Sequence, residues 1–247
     1  MLERWIFNDE ENAHFLRLFT EMFIVFLVVS FLNYFIKGNF LFLVALSSIS
    51  VAYPVTKYIR REDHNELFDH SMSDVLQRFD RQMLVFWVIF IAATIAFIIT
   101  FGLLTDTTFH ANIVESVSGR MVNPDLSFSD IFFNNLYVGF ITFLVALVST
   151  SGIIFIIVWN ASMLTYVLAQ SGTRISSLTM MFSYLGHALL EIGGFVMLGM
   201  AASLLSYRIE RFKRFDRHAN KVLFINFSLL VIIGIVLIFL GALVETL

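Results

Sequence analysis

Six apolar stretches dominate this chain: Met22–Ile36, Phe40–Tyr53 with its flanks, Met83–Leu104, Ile131–Gln170, Ile175–Ser206 and Val222–Val244. About 20 apolar residues carry a helix across the hydrocarbon core of a bilayer, at a rise of 1.5 Å per residue. Runs of this kind therefore predict an all-α, polytopic transmembrane helical bundle that forms a single membrane domain over 1–247. Composition agrees, with 58% hydrophobic and 14% charged residues, against about 45–50% and 25% in soluble domains. A soluble enzyme and a disordered chain are thereby excluded. A formal net charge of −3 supplies no basic footprint for nucleic acid. The absence of cysteine removes disulfides, Cys-ligated zinc, iron–sulfur clusters and thiol nucleophiles, and no cofactor is expected. The first twelve residues hold four acids and no basic n-region, so the first segment reads as retained, not as a cleaved signal.

Charge placement counts the crossings. Of the 16 basic residues, five lie between Lys57 and Arg81 and six between Arg208 and Lys221. Basic loops face the cytoplasm, so an even number of crossings joins the two. Met83–Leu104 is one, and Ile131–Ser206 must supply an odd number. Breaks at the small-polar run Ser149-Thr150-Ser151-Gly152 and near Ser171–Arg174 divide that stretch into three. The expectation is about seven membrane segments in the cytoplasmic membrane, with the N-terminus inside and the C-terminus outside. The alternative is six segments plus a re-entrant hairpin over 131–170.

Outside the spans, 57–82 places Phe68, Met72, Val75, Leu76, Phe79 and Met83 on one helical face opposite its charges. It reads as an amphipathic helix on the inner leaflet. Arg208, Arg211, Lys213, Arg214 and Arg217 surround Phe212 and Phe215, a basic loop suited to anionic lipid headgroups. The one sizeable outside loop, 105–130, ends in Ser129 or Asp130 as a candidate N-cap. Arg17 and Glu21 form an i,i+4 pair at the entrance to the first segment.

Within the spans, Glu191 is the one charged residue and His187 the one histidine. Four residues apart, they share a helix face. A carboxylate near the bilayer centre costs about 2.5–3.5 kcal/mol on insertion scales. At 1.5 Å per residue, His187 lies about 30 Å from Arg208, with Glu191 about 6 Å deeper. Gly186, Gly193, Gly194 and Gly199 stand on or beside this face as small residues that allow close helix approach, as does Gly152 at the break. The series Asn135, Gly139, Thr142, Ala146, Ser149 forms a small-polar seam on the fourth segment. Asn160, inside the fifth segment, and one of Asn134 and Asn135 are expected to satisfy His187 and Glu191. Such a cluster serves to glue helices, to handle protons or ions, or, with only two ligands, to make a weak metal site. Gly234 and Gly241 on the last segment permit homodimerisation as well as packing within the chain.

The stretch 131–206 resembles the stage II sporulation protein M family of integral membrane proteins. The resemblance rests on Phe133-Asn134-Asn135 opening a helix, Gly152 about one span later, Trp159-Asn160-Ala161-Ser162, and Gly186-His187-Ala188-Leu189-Leu190-Glu191. The Trp-Asn-Ala-Ser form is similar to archaeal members. Gly186 replaces the family's usual proline before the histidine, and Ala188 its usual glycine after it. The resemblance implies a non-enzymatic membrane scaffold that assembles other membrane or cell-envelope proteins. The competing reading is a small transporter or channel that uses His187 and Glu191 to move an ion or solute. An intramembrane hydrolase or metal enzyme ranks last, because no Gly-x-Ser-x-Gly elbow, His-Glu-x-x-His motif or paired carboxylates are present.

Overall fold

The computed structural model describes residues 9–36, 40–66, 72–103, 127–149, 152–171, 178–210 and 217–246. These form seven helices: α1 (Asp9–Phe35), α2 (Phe40–Glu66), α3 (Met72–Leu103), α4 (Phe128–Val148), α5 (Gly152–Ser171), α6 (Leu178–Glu210) and α7 (Arg217–Thr246). Among the described residues there is no strand. Five of the helices hold a stretch long and apolar enough to cross a membrane: Phe15–Phe35, Gln82–Phe101, Phe128–Val148, Gly186–Ser206 and Leu223–Thr246. Shorter apolar stretches fill Leu41–Val55 in α2 and Gly152–Thr165 in α5. Large apolar side chains cover much of the outside, including Ile24, Val28 and Leu32 on α1 and Ile232, Val236 and Phe239 on α7. A soluble fold buries such rows, whereas a bilayer solvates them.

α3 is the central strut. Ala92, Ala93 and Ala96 are fully buried, and their small side chains let α1 and α5 approach it closely. Phe26 of α1 meets Phe97 edge-on, and Ser30 Oγ hydrogen-bonds Thr100 Oγ1 at 2.7 Å. These pairs make α1 and α3 parallel. On the α5 side, Thr165 Oγ1 reaches Thr94 O at 3.3 Å and its own Ala161 O at 2.8 Å. α2 packs on α1 and α5, while α4, α6 and α7 pack on one another. A continuous apolar core joins the two groups, with Ile153, Ile157 and Val158 of α5 packed with Ile192, Val196 and Met200 of α6.

The break after α4 falls within the small-polar run. α4 ends at Val148, Ser149 is extended at φ −153° and ψ 122°, and the Gly152 amide donates to Ser149 O at 2.8 Å to open α5. A Cβ at Gly152 would stand 2.3 Å from Val145 Cγ1 and 3.2 Å from the Val145 carbonyl, so the turn has room only for glycine. α4 then runs parallel to α6, with Asn135 beside Glu191 and Gly139 beside Leu198. It runs antiparallel to α7, from Phe132 against Phe239 to Phe143 against Phe227. Its 21 residues cover about 31 Å at 1.5 Å per residue. That is the length of a full span.

At the start of α4 the cap differs from the expected Ser129 or Asp130. Ser127 is the N-cap, and Asp130 stands at N3 as its capping-box partner. The Ser127 backbone amide donates to Asp130 Oδ2 at 3.1 Å. The Ser127 hydroxyl accepts the Asp130 amide at 3.4 Å. This reciprocal arrangement satisfies two orphan donors at once, and a cap at Asp130 would forgo it. The remainder of the loop expected over 105–130 lies largely outside the described residues. In the stretch 57–82, α2 continues to Glu66 and α3 begins at Met72; residues 67–71 lie outside the described ones.

Candidate functional site

The site forms where α4, α6 and α7 meet. Each helix contributes what close approach requires: α4 the buried seam Gly139, Thr142 and Ala146, α6 a pair of adjacent glycines, and α7 Gly234 and Gly241. At the α6–α7 crossing, a Cβ on Gly194 would stand 2.8 Å from Gly234 O and 3.2 Å from Ile238 N. The two backbones are therefore in contact. On α4, a Cβ on Gly139 would stand 2.7 Å from Leu198 Cδ1, which draws α4 onto the same surface. Gly234 and Gly241, compatible by sequence with a dimer seam, serve packing within the chain.

Glu191 lies at this junction. Gly241 faces it from α7, where a Cβ would stand 2.7 Å from Glu191 Cγ and 3.4 Å from His187 O. From α4, Asn135 Nδ2 donates to Glu191 Oε1. Asn134 Nδ2 donates in turn to Asn135 Oδ1 at 3.4 Å. Both ends of the Asn135 amide are thus engaged, which fixes its orientation, with the donor toward the carboxylate. The tandem asparagines divide the work: Asn135 touches Glu191, and Asn134 orients Asn135. Glu191 and His187 are each half-buried, and His187 sits one turn from Glu191 toward the Gly186 end of α6.

Asn160 does something different from what its position suggested. Its side chain donates to Ile156 O of its own helix at 2.8 Å. A backbone carbonyl one turn back is always within reach of such a side chain, and here it outcompetes a partner on α6. Gly186 also departs from its assigned packing role, since nothing lies within 4 Å of a Cβ built there. Gly193 makes only ordinary contact, 3.4 Å from Leu237 Cδ1 and 3.8 Å from Trp87 Cζ2. Gly199 is tighter, with Ile153 Cγ1 at 2.6 Å, and marks the α5–α6 crossing. Gly186→Ala is therefore expected to leave the fold intact and to raise stability by about 0.5–1 kcal/mol, the helix-propensity difference. The thermal midpoint of the monodisperse protein in detergent reads this out.

The side chains of the basic cluster Arg208, Arg211, Lys213, Arg214 and Arg217 lie outside the described residues. Arg17 Nε donates to Glu21 Oε1 at 2.8 Å, with both side chains exposed. Among the described residues, no group of three or more His, Cys, Asp or Glu is placed to hold a metal ion. A second polar layer went unread in the sequence: Asn33, Ser47 and the Ser30–Thr100 pair are all buried. Its sequence signal is faint, because a hydroxyl in an apolar run usually bonds its own helix. Ser48 does so, donating to Val44 O at 2.7 Å.

Comparison with known families covers the helices that build this site. The family model described as stage II sporulation protein M matches residues 82–247, about two thirds of the chain, from the apolar part of α3 to the end of α7. No curated protein and no solved structure matches the chain.

Proposed function

The chain belongs to the stage II sporulation protein M family, and from that premise we propose that it is a non-enzymatic scaffold of the cytoplasmic membrane. It gathers other membrane or cell-envelope proteins and carries no flux of its own. Its N-terminus lies inside and its C-terminus outside, and the basic loop around Arg211 and Arg214 rests on lipid headgroups. The observation that carries the reading is the seat of Glu191. The carboxylate takes a donor from Asn135 and backs directly onto Gly241, so α4 and α7 pin it from two sides while part of it stays at the bundle surface. A translocation site is instead built on broken helices whose loosened backbone lines a cavity. α6 runs unbroken through Glu191, from Leu178 to Glu210.

The test is recovery of the tagged full-length chain from its native membranes after cross-linking in place. A reproducible set of membrane or envelope proteins is expected at near-stoichiometric yield. A chain recovered alone, before and after cross-linking, would overturn the scaffold reading.

A further inference from the structure

Glu191 uses one of its two carboxylate oxygens within the described part of the chain. Oε1 accepts from Asn135, and no described donor engages Oε2. Among the described residues the one ion pair is Arg17–Glu21, on α1, and Glu191 takes part in none. Across the junction α7 offers Gly241 and, one turn on, the exposed acid Glu245. The Glu191 side chain is only half-buried, so part of it reaches the surface of the bundle. α6 runs from Leu178 to Glu210, which sets Glu191 about 20 Å from its first residue at 1.5 Å per residue. An acid at that depth, with a neutral amide as its partner, is a costly feature to keep without a counter-charge.

Resting on the scaffold reading, we propose that Glu191 is the docking point for a partner's membrane-spanning helix that carries a lysine or arginine at matching depth. Charge complementarity selects the basic side chain. Depth selects a spanning helix as its bearer, because the aliphatic stem of lysine or arginine lies along apolar surface while its head meets the carboxylate. Asn135 has the positioning role: it holds Oε1 and leaves Oε2 without a described donor. Asn134 holds Asn135.

The test uses the purified full-length chain, labelled with a donor fluorophore, in phosphatidylcholine vesicles. The probes are tryptophan-flanked polyleucine spanning peptides carrying an acceptor. They bear a single lysine at the centre, a lysine about 8 Å from one apolar end, a glutamate at the centre, or leucine throughout, with depth set by 1.5 Å per residue. The peptide with the central lysine is expected to associate about tenfold more tightly than the all-leucine peptide, the scale of one polar contact between membrane helices. The lysine near the end gains less, and the glutamate peptide gains nothing. Glu191→Gln is expected to remove the lysine preference while the protein stays monodisperse. The proposal is overturned by a lysine peptide that binds no better than leucine, by an equal gain for glutamate, or by a lysine preference that survives Glu191→Gln. The glutamate arm is decided on the unmutated chain, so it holds even where Glu191→Gln fails to fold. Failure of the scaffold reading itself is seen separately, as ion flux through the protein-bearing vesicles without peptide.

Discussion

Gly194→Ala is expected to cost most of the folded yield. Three atoms meet the added methyl group: Ile238 Cγ1 at 2.6 Å, Gly234 O at 2.8 Å and Ile238 N at 3.2 Å. The first is a side-chain carbon that can rotate away. The other two are backbone, so relief requires α6 and α7 to separate along their whole contact, the most extensive helix pairing in the bundle. Overpacking of this kind costs about 1–3 kcal/mol in a close-packed interior. In a membrane the loss is felt fully, because close van der Waals packing supplies much of the association between helices. Gly194→Val is expected to be worse still. The neighbouring Gly193→Ala is the control: its Cβ would meet Leu237 Cδ1 at 3.4 Å and Trp87 Cζ2 at 3.8 Å, which is ordinary contact. Size-exclusion profiles and thermal midpoints in detergent should separate the two glycines by more than about 1 kcal/mol. Equal tolerance at both positions would mean that α6 and α7 do not cross at Gly194.

The second large effect is expected at Asn135. Asn135→Leu leaves the Glu191 carboxylate at a three-helix junction without its Asn135 donor. Leaving a buried polar group unsatisfied costs about 1–3 kcal/mol, more for a charged one. Glu191→Leu removes the demand at its source and should cost less. The double variant, Asn135→Leu with Glu191→Leu, replaces both partners with apolar groups and is expected to regain most of the Asn135→Leu loss, as buried polar pairs replaced together often do. The coupling between the two positions should be about 1–2 kcal/mol, measured as a thermodynamic cycle on unfolding in detergent. Strict additivity would place the two side chains out of contact.

These effects show how far the sequence carried the structure and where it stopped. The seven helices and the break at Ser149–Gly152 were legible because span length and small-polar breaks are local signals, set by bilayer thickness and backbone satisfaction. The α4 seam was legible too: Gly139, Thr142 and Ala146 step along one face, and that face is the buried one. Partner choice was less accessible. Tandem asparagines point in directions about 100° apart on a helix, and only the parallel packing of α4 on α6 turns Asn135, not Asn134, toward Glu191. Asn160 was out of reach for a related reason, since the Ile156 carbonyl on its own helix competes with any distant partner. Glycine alone does not say what it faces: Gly186 and Gly194 are eight residues apart on α6, yet one faces open space and the other a backbone. The Ser30–Thr100 bond between α1 and α3 lay hidden because nothing local distinguishes a hydroxyl that bridges helices from one that bonds its own.

Flux through proteoliposomes tests the central claim most directly. Purified full-length chain is reconstituted in tight vesicles, and proton, sodium and potassium gradients are imposed in turn across the membrane. A scaffold in which Asn135 and Gly241 pin Glu191 predicts leak rates equal to those of empty vesicles, with and without Glu191→Gln. Sustained flux in the unmutated chain, abolished by Glu191→Gln, would contradict the account and make that carboxylate part of a conducting path.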